Sequence, residues 1–446
     1  MNIELKAKEF AIKAHKGQVR KSDKEKPMII HPINVGQILK QYGFDENVVS
    51  AGYLHDVVED TSYEIEDIKD NFNDDIASLV YGASEPDKSL SWEERKKHTI
   101  EETKKLDLRH KAVICADKIS NLEDLKILFE IKGEYDFSAF KRGYESQKWY
   151  YTEVYNSLIF NEDENNPMFI RLKELIDEIF NNKDNDEYVK NIIFKDNIEE
   201  YNKLRKIHYR KEEVYKLKKV LSDNFPYVIE FTGTPRTGKT SLINNLKDFF
   251  KKKGFVVEVL EEFTTSEKYK KEIYPTLKDK YKNVVNTEIP KYVLKQLEES
   301  IERKPDIIII DRSLFDRLIW VDRLYLKNGM SENEYSEYKK LYIPLIKNKI
   351  DIVISTYADS LTSLKRDYNA NLSLEKRSFL NETNLNEYNE SLLNMKKLSE
   401  EENINFNLFD TTNKNQRKIS FEVVDCLLKD MRQNLLNKAY KEFDFK

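Results

Sequence analysis

Cysteine is nearly absent. Cys115 and Cys426 are the only two in 446 residues. They lie far apart and outside any metal-type spacing, which excludes a disulfide framework and fits a reduced, cytosolic setting. Long apolar runs are also missing: none approaches the roughly 20 residues that a helix needs to cross a bilayer. The N-terminal stretch MNIELKAKEFAIKAH is amphipathic and charged and lacks the apolar segment of a signal peptide. The expected location is therefore cytoplasmic, with no membrane partner. There is no excess of basic charge either. The formal net charge is −5, so no global field recruits nucleic acid and only a local groove could do so. Internal repeats and low-complexity tracts are absent.

What remains is a globular, polar-surfaced composition, 39% hydrophobic and 35% charged. At roughly 100–200 residues per domain, the length predicts two to three domains. Residues 1–182 carry apolar positions at helical spacings, as in Val48–Val58, and show no strand pattern. Residues 183–220 are rich in lysine and glutamate and predict a helical connector, KLRKIHYRKEEVYKLKKVL, read chiefly as a solvated face. From 221 to 446 the pattern changes. Short continuous apolar runs at Tyr227–Phe231, Val256–Leu260, Ile307–Ile310 and Ile352–Ser355 alternate with helices. That predicts strands buried on both faces in a parallel, doubly wound sheet.

Four residues stand out in the helical part: His31 in HPINV, the pair His55-Asp56 in YLHDVVED, and Asp117 in CADKISN. Imidazole and carboxylate donors suit a first-row divalent metal, and the mixed nitrogen–oxygen set points to Mn²⁺ ahead of Fe²⁺ or Zn²⁺. Such a metal lowers the pKa of a bound water. Glu59 and Asp60 fall four residues after His55 and Asp56, one helical turn along the same face, where they could position that water or take its proton. An isolated His-Asp pair is a weak signal; the combination with Glu59 and Asp60 one turn later is a strong one.

This stretch resembles the hydrolase domain of RelA/SpoT-type alarmone enzymes and their small stand-alone relatives. The likeness runs through AHKGQVRKSDKEKPMIIHPINV, AGYLHDVVEDTSYEIEDI, WEERKK and CADKISNLEDL, strongly over residues 5–125 and more thinly to 182. It implies an all-α HD-type phosphohydrolase domain with His31, His55, Asp56 and Asp117 as Mn²⁺ ligands and Glu59 and Asp60 as catalytic carboxylates. Arg20, Lys21 and Asn121 match substrate-binding positions, as do Lys96 or Lys97 and Arg142. The family reaction is hydrolysis of the 3′-pyrophosphate of guanosine tetra- or pentaphosphate; some members act on the 2′-phosphate of NADPH. Met28 stands where the family has an aromatic residue, and Ser146 where a tyrosine is expected, with Tyr144 and Tyr150 close by. The family's synthetase domain has no counterpart here.

After the strand YVIEF comes GTPRTGKT, residues 233–240, followed by a predicted helix. Backbone N–H groups of such a loop cradle phosphate. Gly233, Arg236, Gly238, Lys239, Thr240 and Ser241 are the expected ATP-binding residues, with Lys239 reaching the β- and γ-phosphates and Thr240 holding Mg²⁺. Asp311, at the end of an apolar strand, is the expected second Mg²⁺ ligand. The sequence DRS at 311–313 resembles an element of deoxynucleoside and thymidylate kinases. That resemblance implies Glu261 or Glu262 as base toward the acceptor, Arg312 as an acceptor-orienting group, and Arg366 and Arg377 as lid arginines.

The expected whole is a multidomain chain: an all-α HD-type domain over 1–182, a connector over 183–220, and an α/β P-loop NTPase domain over 221–446. Its partners are small-molecule nucleotides, and a homo-oligomer is compatible with the sequence. Two alternatives are a P-loop half that senses nucleotide and gates the hydrolase, and a kinase half acting on the end of a polynucleotide.

Overall fold

The structure, a computed structural model, describes residues 2–85, 89–137, 142–181, 187–221, 226–263, 271, 284–371 and 380–443. It divides into two units. The first comprises Met1–Ser222 together with Leu428–Lys446, and the second comprises Asp223–Leu427.

The first unit is helical: α1 (Ile3–Ala14), α2 (Ile30–Gln41), α3 (Glu46–Leu54), α4 (Val57–Asp60), α5 (Ile65–Asn71), α6 (Asp74–Ala83), α7 (Trp92–Thr103), α8 (Leu108–Lys132), α9 (Gly143–Ile159), α10 (Pro167–Phe180) and α11 (Ile198–Val220). Helix α8 starts where Asp107 accepts from the His110 amide at 3.1 Å, and it stops at Gly133, whose φ of +81° suits glycine. Helices α2 and α3 meet at glycines. A Cβ on Gly36 would lie 2.2 Å from the Tyr53 ring, and one on Gly52 would lie 2.5 Å from Leu39. This close approach brings the start of α2 and the end of α3, with His31 and His55, over the middle of α8.

The segment 183–220 is more than a spacer. Helix α11 contributes Leu217 and Val220 to the core of the first unit, and its Lys216 lies 3.1 Å from both Glu123 and Asp124 on α8. The expectation of a chiefly solvated face is corrected at that point, because an ion pair with two carboxylates lets Lys216 leave water. The expected cut at 221 also needs revision at the far end. The chain returns to the first unit after residue 427, and Leu436, Ala439 and Phe443 enter its core.

The second unit is a five-stranded parallel sheet in the order β2-β3-β1-β4-β5. The strands are β1 (Tyr227–Gly233), β2 (Val257–Leu260), β3 (Ile307–Asp311), β4 (Ile352–Tyr357) and β5 (Phe406–Asp410). Its helices are α12 (Lys239–Lys251), α13 (Val284–Glu302), α14 (Leu314–Leu326), α15 (Glu332–Lys349), α16 (Ser360–Asn371), α17 (Glu382–Glu401) and the first part of α18 (Gln416–Glu442). The four strands expected from the sequence are present; β5 is additional. Its residues are half-buried rather than buried on both faces, so it sits at the sheet edge and lacks the continuous apolar run that marks the inner strands.

Glu230 sits fully buried in the middle strand. Its carboxylate accepts hydrogen bonds from the amides of Ser313, Phe315 and Asp316 and from the Ser313 hydroxyl, at 2.6–3.0 Å. It therefore caps α14 from below and fixes the turn after β3. Glu230→Ala should lower stability by about 3–5 kcal/mol, since it strands several buried donors at once. Urea unfolding of the full chain checks this: a shift below ~1 kcal/mol, within the range of ordinary surface changes, would show that the cap is dispensable.

Candidate functional site

In the first unit, His31 lies in the first turn of α2, His55 caps the end of α3, Asp56 opens α4 and Asp117 lies mid-way along α8. The four meet. His31 Nε2 is 3.1 Å from Asp117 Oδ1 and 3.6 Å from Asp56 Oδ2, and His55 Nε2 is 3.2 Å from Asp56 Oδ1 and 3.7 Å from Asp117 Oδ1. Both imidazoles are held from behind. His55 Nδ1 lies 2.8 Å from the Gly52 carbonyl and His31 Nδ1 lies 2.9 Å from Ser120 Oγ. That leaves each Nε2 facing the centre, the arrangement by which outer hydrogen bonds orient metal-ligating histidines.

The residues fit a divalent metal. Donor atoms of His31, His55 and Asp117 lie within 4.8 Å of one another. His55 Nε2 is buried without a partner of hydrogen-bond geometry. Two imidazoles and two carboxylates supply a charge of −2 when the histidines are neutral. Burial, then the nearby Arg20 charge, pushes the His31 pKa down to about 4. Burial works against charge on His55 as well, but the Asp56 and Asp117 carboxylates outweigh it and hold its pKa well above the ordinary histidine value. A cation at the centre meets the same pair of carboxylates.

The surrounding residues form a polar chain. Asn121 donates to Asp117 at 2.6 Å and accepts from Arg20 at 2.8 Å, and Lys118 donates to Asp117 at 2.7 Å. Arg20 NH1 also lies 3.8 Å from the Met28 sulfur, so Met28 helps to seat the arginine. Lys21 is exposed. Glu59 is half-buried; burial first, then the charges of Asp56, Glu85 and Asp60, raise its pKa. Asp60 fixes Gln18, whose side-chain amide donates to its carbonyl at 2.8 Å.

Lys96 and Lys97 separate clearly. Lys96 pairs with Glu85 and lies 4.4 Å from the Tyr150 ring centre, whereas Lys97 is exposed. Arg142 is exposed and pairs with Glu93 at 2.7 Å. Tyr144 donates to the Phe180 carbonyl, away from the centre. Tyr150 is buried with Lys118 and Lys96 against its ring, and its hydroxyl has no hydrogen-bond partner. Sequence reasoning missed Ser120, Lys118, Glu85 and Gln18. The first two flank or follow Asp117 within one helical turn, and that spacing was the available signal.

In the second unit, Gly233 ends β1 and Gly238 caps α12 with φ +88°, while Arg236 also adopts positive φ, +61°. A positive φ is what requires glycine at 238, and the Gln416 side-chain amide lies against the open side of that glycine. Lys239 is buried, and burial followed by the Arg312 charge lowers its pKa to about 8. Thr240 and Ser241 are exposed at the loop mouth. Because β3 pairs directly with β1, Asp311 stands in register with Phe231, and its Oδ1 is buried without a partner. A carboxylate oxygen left so, beside a buried lysine, fits a Mg²⁺ ligand.

Arg312 has φ +62°. It donates to the Gly233 carbonyl at 3.0 Å and to Asp316 at 2.6 Å, and its Nε lies 3.7 Å from Glu262. Glu261 is exposed, so Glu262 is the glutamate that joins the arginine. Arg366 donates to the Thr411 hydroxyl and carbonyl at 2.9 and 2.6 Å, and Arg236 pairs with Asp367 at 2.6 Å. Arg377 lies outside the described residues. Asp316, unnoticed in the sequence, is fully buried and takes bonds from Thr232, Arg312, Arg317, Trp320 and Tyr388.

Comparison with known proteins agrees with both halves. Residues 7–132 match the HD domain model. The Drosophila melanogaster protein named guanosine-3′,5′-bis(diphosphate) 3′-pyrophosphohydrolase MESH1 is 41% identical over 121 residues, 27% of this chain and 67% of that protein. The chain belongs to that HD-domain family. The Xenopus tropicalis protein of the same name is 40% identical over 124 residues, 27% of this chain and 69% of that protein. Residues 228–359 match the AAA domain model, in keeping with the P-loop and the parallel sheet. A solved deoxyadenosine kinase from M. mycoides with bound dATP is 20% identical, with a TM-score of 0.33, covering 45% of this chain and 98% of that one. Among the described residues no helix is long and apolar enough to cross a membrane.

The metal site has a direct check. Purified chain should carry about one first-row divalent ion in the first unit, and Asp117→Ala or His55→Ala should drop that occupancy at least tenfold, because removing a ligand or its support costs on the order of 10–100-fold in affinity. Elemental analysis after dialysis reads it, and equal metal content in the variants and the wild type would sink the assignment.

Proposed function

We propose that the chain joins two nucleotide-processing enzymes. The first unit hydrolyses the 3′-pyrophosphate of a guanosine-3′,5′-bis(diphosphate)-like nucleotide, or the phosphate of an NADPH-like one, with Mn²⁺ at His31, His55, Asp56 and Asp117. The second transfers a phosphoryl group from ATP, with Mg²⁺, to a nucleoside or nucleotide. What carries the first reading is the convergence of those four donors from four separate elements, with Arg20 and Asn121 linked to Asp117.

The bound ion supplies an activated water and offsets charge at phosphorus. The side chains do the rest. Glu59, whose pKa is raised by burial and by the neighbouring carboxylates, is a stronger base than an ordinary glutamate and is suited to take a proton. Asp60, tied to Gln18, orients its neighbour. Arg20 and Lys21 hold the base and phosphates, with Asn121 fixing Arg20. Lys96 faces the phosphates in preference to Lys97, and Arg142 lies further out.

In the second unit, Lys239 and the loop residues Gly233, Arg236, Gly238 and Ser241 hold the ATP phosphates. Thr240 and Asp311 hold Mg²⁺. Glu262 serves as base toward the acceptor and Arg312 orients it, a pairing supported by their 3.7 Å separation. Arg366 and Arg377 belong to the lid. A catalytic base opposite an arginine serves phosphoryl transfer to a hydroxyl, and a pure nucleotide sensor has no use for it.

A second reading, in which the P-loop unit senses nucleotide and gates the hydrolase, is favoured by one observation. Gln416, which packs on Gly238, opens a helix whose last residues belong to the first unit. Under this reading Lys239→Ala changes the hydrolase rate; under the first it leaves that rate alone.

Incubation with guanosine-3′,5′-bis(diphosphate) and Mn²⁺ should release pyrophosphate. Glu59→Gln should lower kcat by about 10²–10⁴ while metal content holds. Absence of product from this substrate and from NADPH, in the metal-loaded wild type, would sink the hydrolase assignment. Separately, Glu262→Gln should cut phosphoryl transfer from ATP to a deoxynucleoside panel by about 10²-fold or more with ATP affinity unchanged. Mass detection of products reads this, and unaltered transfer would remove Glu262 from the reaction.

A further inference from the structure

His15 follows the last turn of α1 and is fully buried. Its Nδ1 lies 2.8 Å from Gln18 Oε1, and the Gln18 side-chain nitrogen donates to the Asp60 carbonyl at 2.8 Å. Chemistry fixes each role along this chain. A carbonyl only accepts, so the NH₂ end of Gln18 faces Asp60 and its oxygen faces His15. Nδ1 must then carry the proton that this oxygen accepts. The other ring nitrogen, Nε2, is buried without a hydrogen-bond partner among the described residues. An unpaired buried nitrogen is costly, and an aliphatic side chain would fill the space without it. The imidazole is therefore there for its Nδ1.

Two parts of the candidate site are tied together at Gln18. Helix α4 is a single turn of four residues, Val57–Asp60, and bears Glu59 and Asp60. So short a helix has few bonds of its own, and its last carbonyls need outside donors. The Gln18 side chain is one such donor. The Gln18 main chain makes the other tie. Its carbonyl accepts from the Met28 amide at 2.8 Å, which closes the loop that carries Arg20, and its amide donates to the His15 carbonyl at 3.1 Å. Arg20 in turn reaches Asn121 beside Asp117. We propose that His15 is a positioning residue. By holding the Gln18 amide in one orientation, it sets Glu59 and Asp60 at a fixed place relative to Arg20. Its effect on rate rests on the hydrolase reading; its effect on structure does not.

The test has two arms, both on the full chain. The first measures hydrolysis of guanosine-3′,5′-bis(diphosphate) with Mn²⁺. His15→Leu and Gln18→Glu should each lower kcat by about tenfold or more at unchanged metal content, since small misplacements of reacting groups are that costly. Gln18→Glu keeps an acceptor for His15 but sets a carboxylate oxygen against the Asp60 carbonyl. His15→Asn, whose Nδ2 stands where Nδ1 stood, should recover most of the loss. The double variant His15→Leu, Gln18→Glu should lose no more than the worse single one, because both break one chain. Undiminished kcat in His15→Leu, equal loss in His15→Leu and His15→Asn, or additive losses in the double variant overturn the proposal. The second arm needs no turnover. Hydrogen exchange read by mass should speed up over residues 17–28 and 56–62 in His15→Leu, return toward wild type in His15→Asn, and stay unchanged in α10. Unchanged exchange over both segments in His15→Leu overturns the positioning role whatever the hydrolase does. The expected exchange response in a chain whose wild type turns over neither guanosine-3′,5′-bis(diphosphate) nor NADPH supports the positioning and sinks the hydrolase reading alone.

Discussion

Asp117 sits in the middle of α8, and a turn of that helix determines what its carboxylate can do. Lys118 and Asn121 both donate to it, and Ser120 on the same turn braces His31. The helix thus supplies one donor and positions another. Burying such a charge is costly unless it is paired and hydrogen-bonded. Here the histidines, a lysine and an amide surround it; against the effect of burial, Lys118 first and then the two histidines hold its pKa well below the ordinary value. The glycine contact between α2 and α3 follows from the same need, since two imidazoles must reach one carboxylate from two helices.

The second unit solves a comparable problem at the end of β3. Asp311, Arg312 and Lys239 come close enough for their charges to act on one another, and the backbone must turn sharply to bring them there. Arg312 takes a left-handed conformation, which costs of order 1–3 kcal/mol and persists only where neighbours over-determine it. Glu230 and Asp316 are those neighbours. One caps α14 from inside the sheet, and the other clamps the guanidinium while Tyr388 and Thr232 clamp Asp316 in turn. Rigid support of this kind holds the guanidinium in one place against the loop carbonyl of Gly233.

Much of this was legible in the residues. Helical spacing and the pairing of His55-Asp56 with Glu59-Asp60 pointed to a ligand face, and four continuous apolar runs marked the inner strands. The edge strand β5 was not legible, because INFNLFD alternates and is only half-buried. Lys96 and Lys97, and Glu262 and Glu261, differ in burial and partners because of side-chain directions that only the folded chain sets. Glu230 was hidden for another reason. A glutamate inside YVIEF looks like an interruption of a strand, and its role depends on amides more than 80 residues away.

The return of the chain after residue 427 was illegible on the same grounds, and it changes how the two units are joined in sequence. Both flanks of the P-loop unit, α11 before it and the end of α18 after it, are packed into the hydrolase core. Leu217, Val220, Leu436, Ala439 and Phe443 are all buried there, and each of these side chains except the small Ala439 contributes about 1.5–3 kcal/mol by leaving water. A first unit cut at residue 182 would expose the surface these side chains cover and lose Lys216 and Arg432, which pair with the half-buried Asp124 and Asp23. The P-loop unit is in this sense an insertion, and α18, which touches Gly238 at one end and carries Arg432 further on, belongs to both. Selection for a stable hydrolase therefore keeps the ends of the kinase-like unit in place. The supporting residues of the two units therefore cannot drift independently.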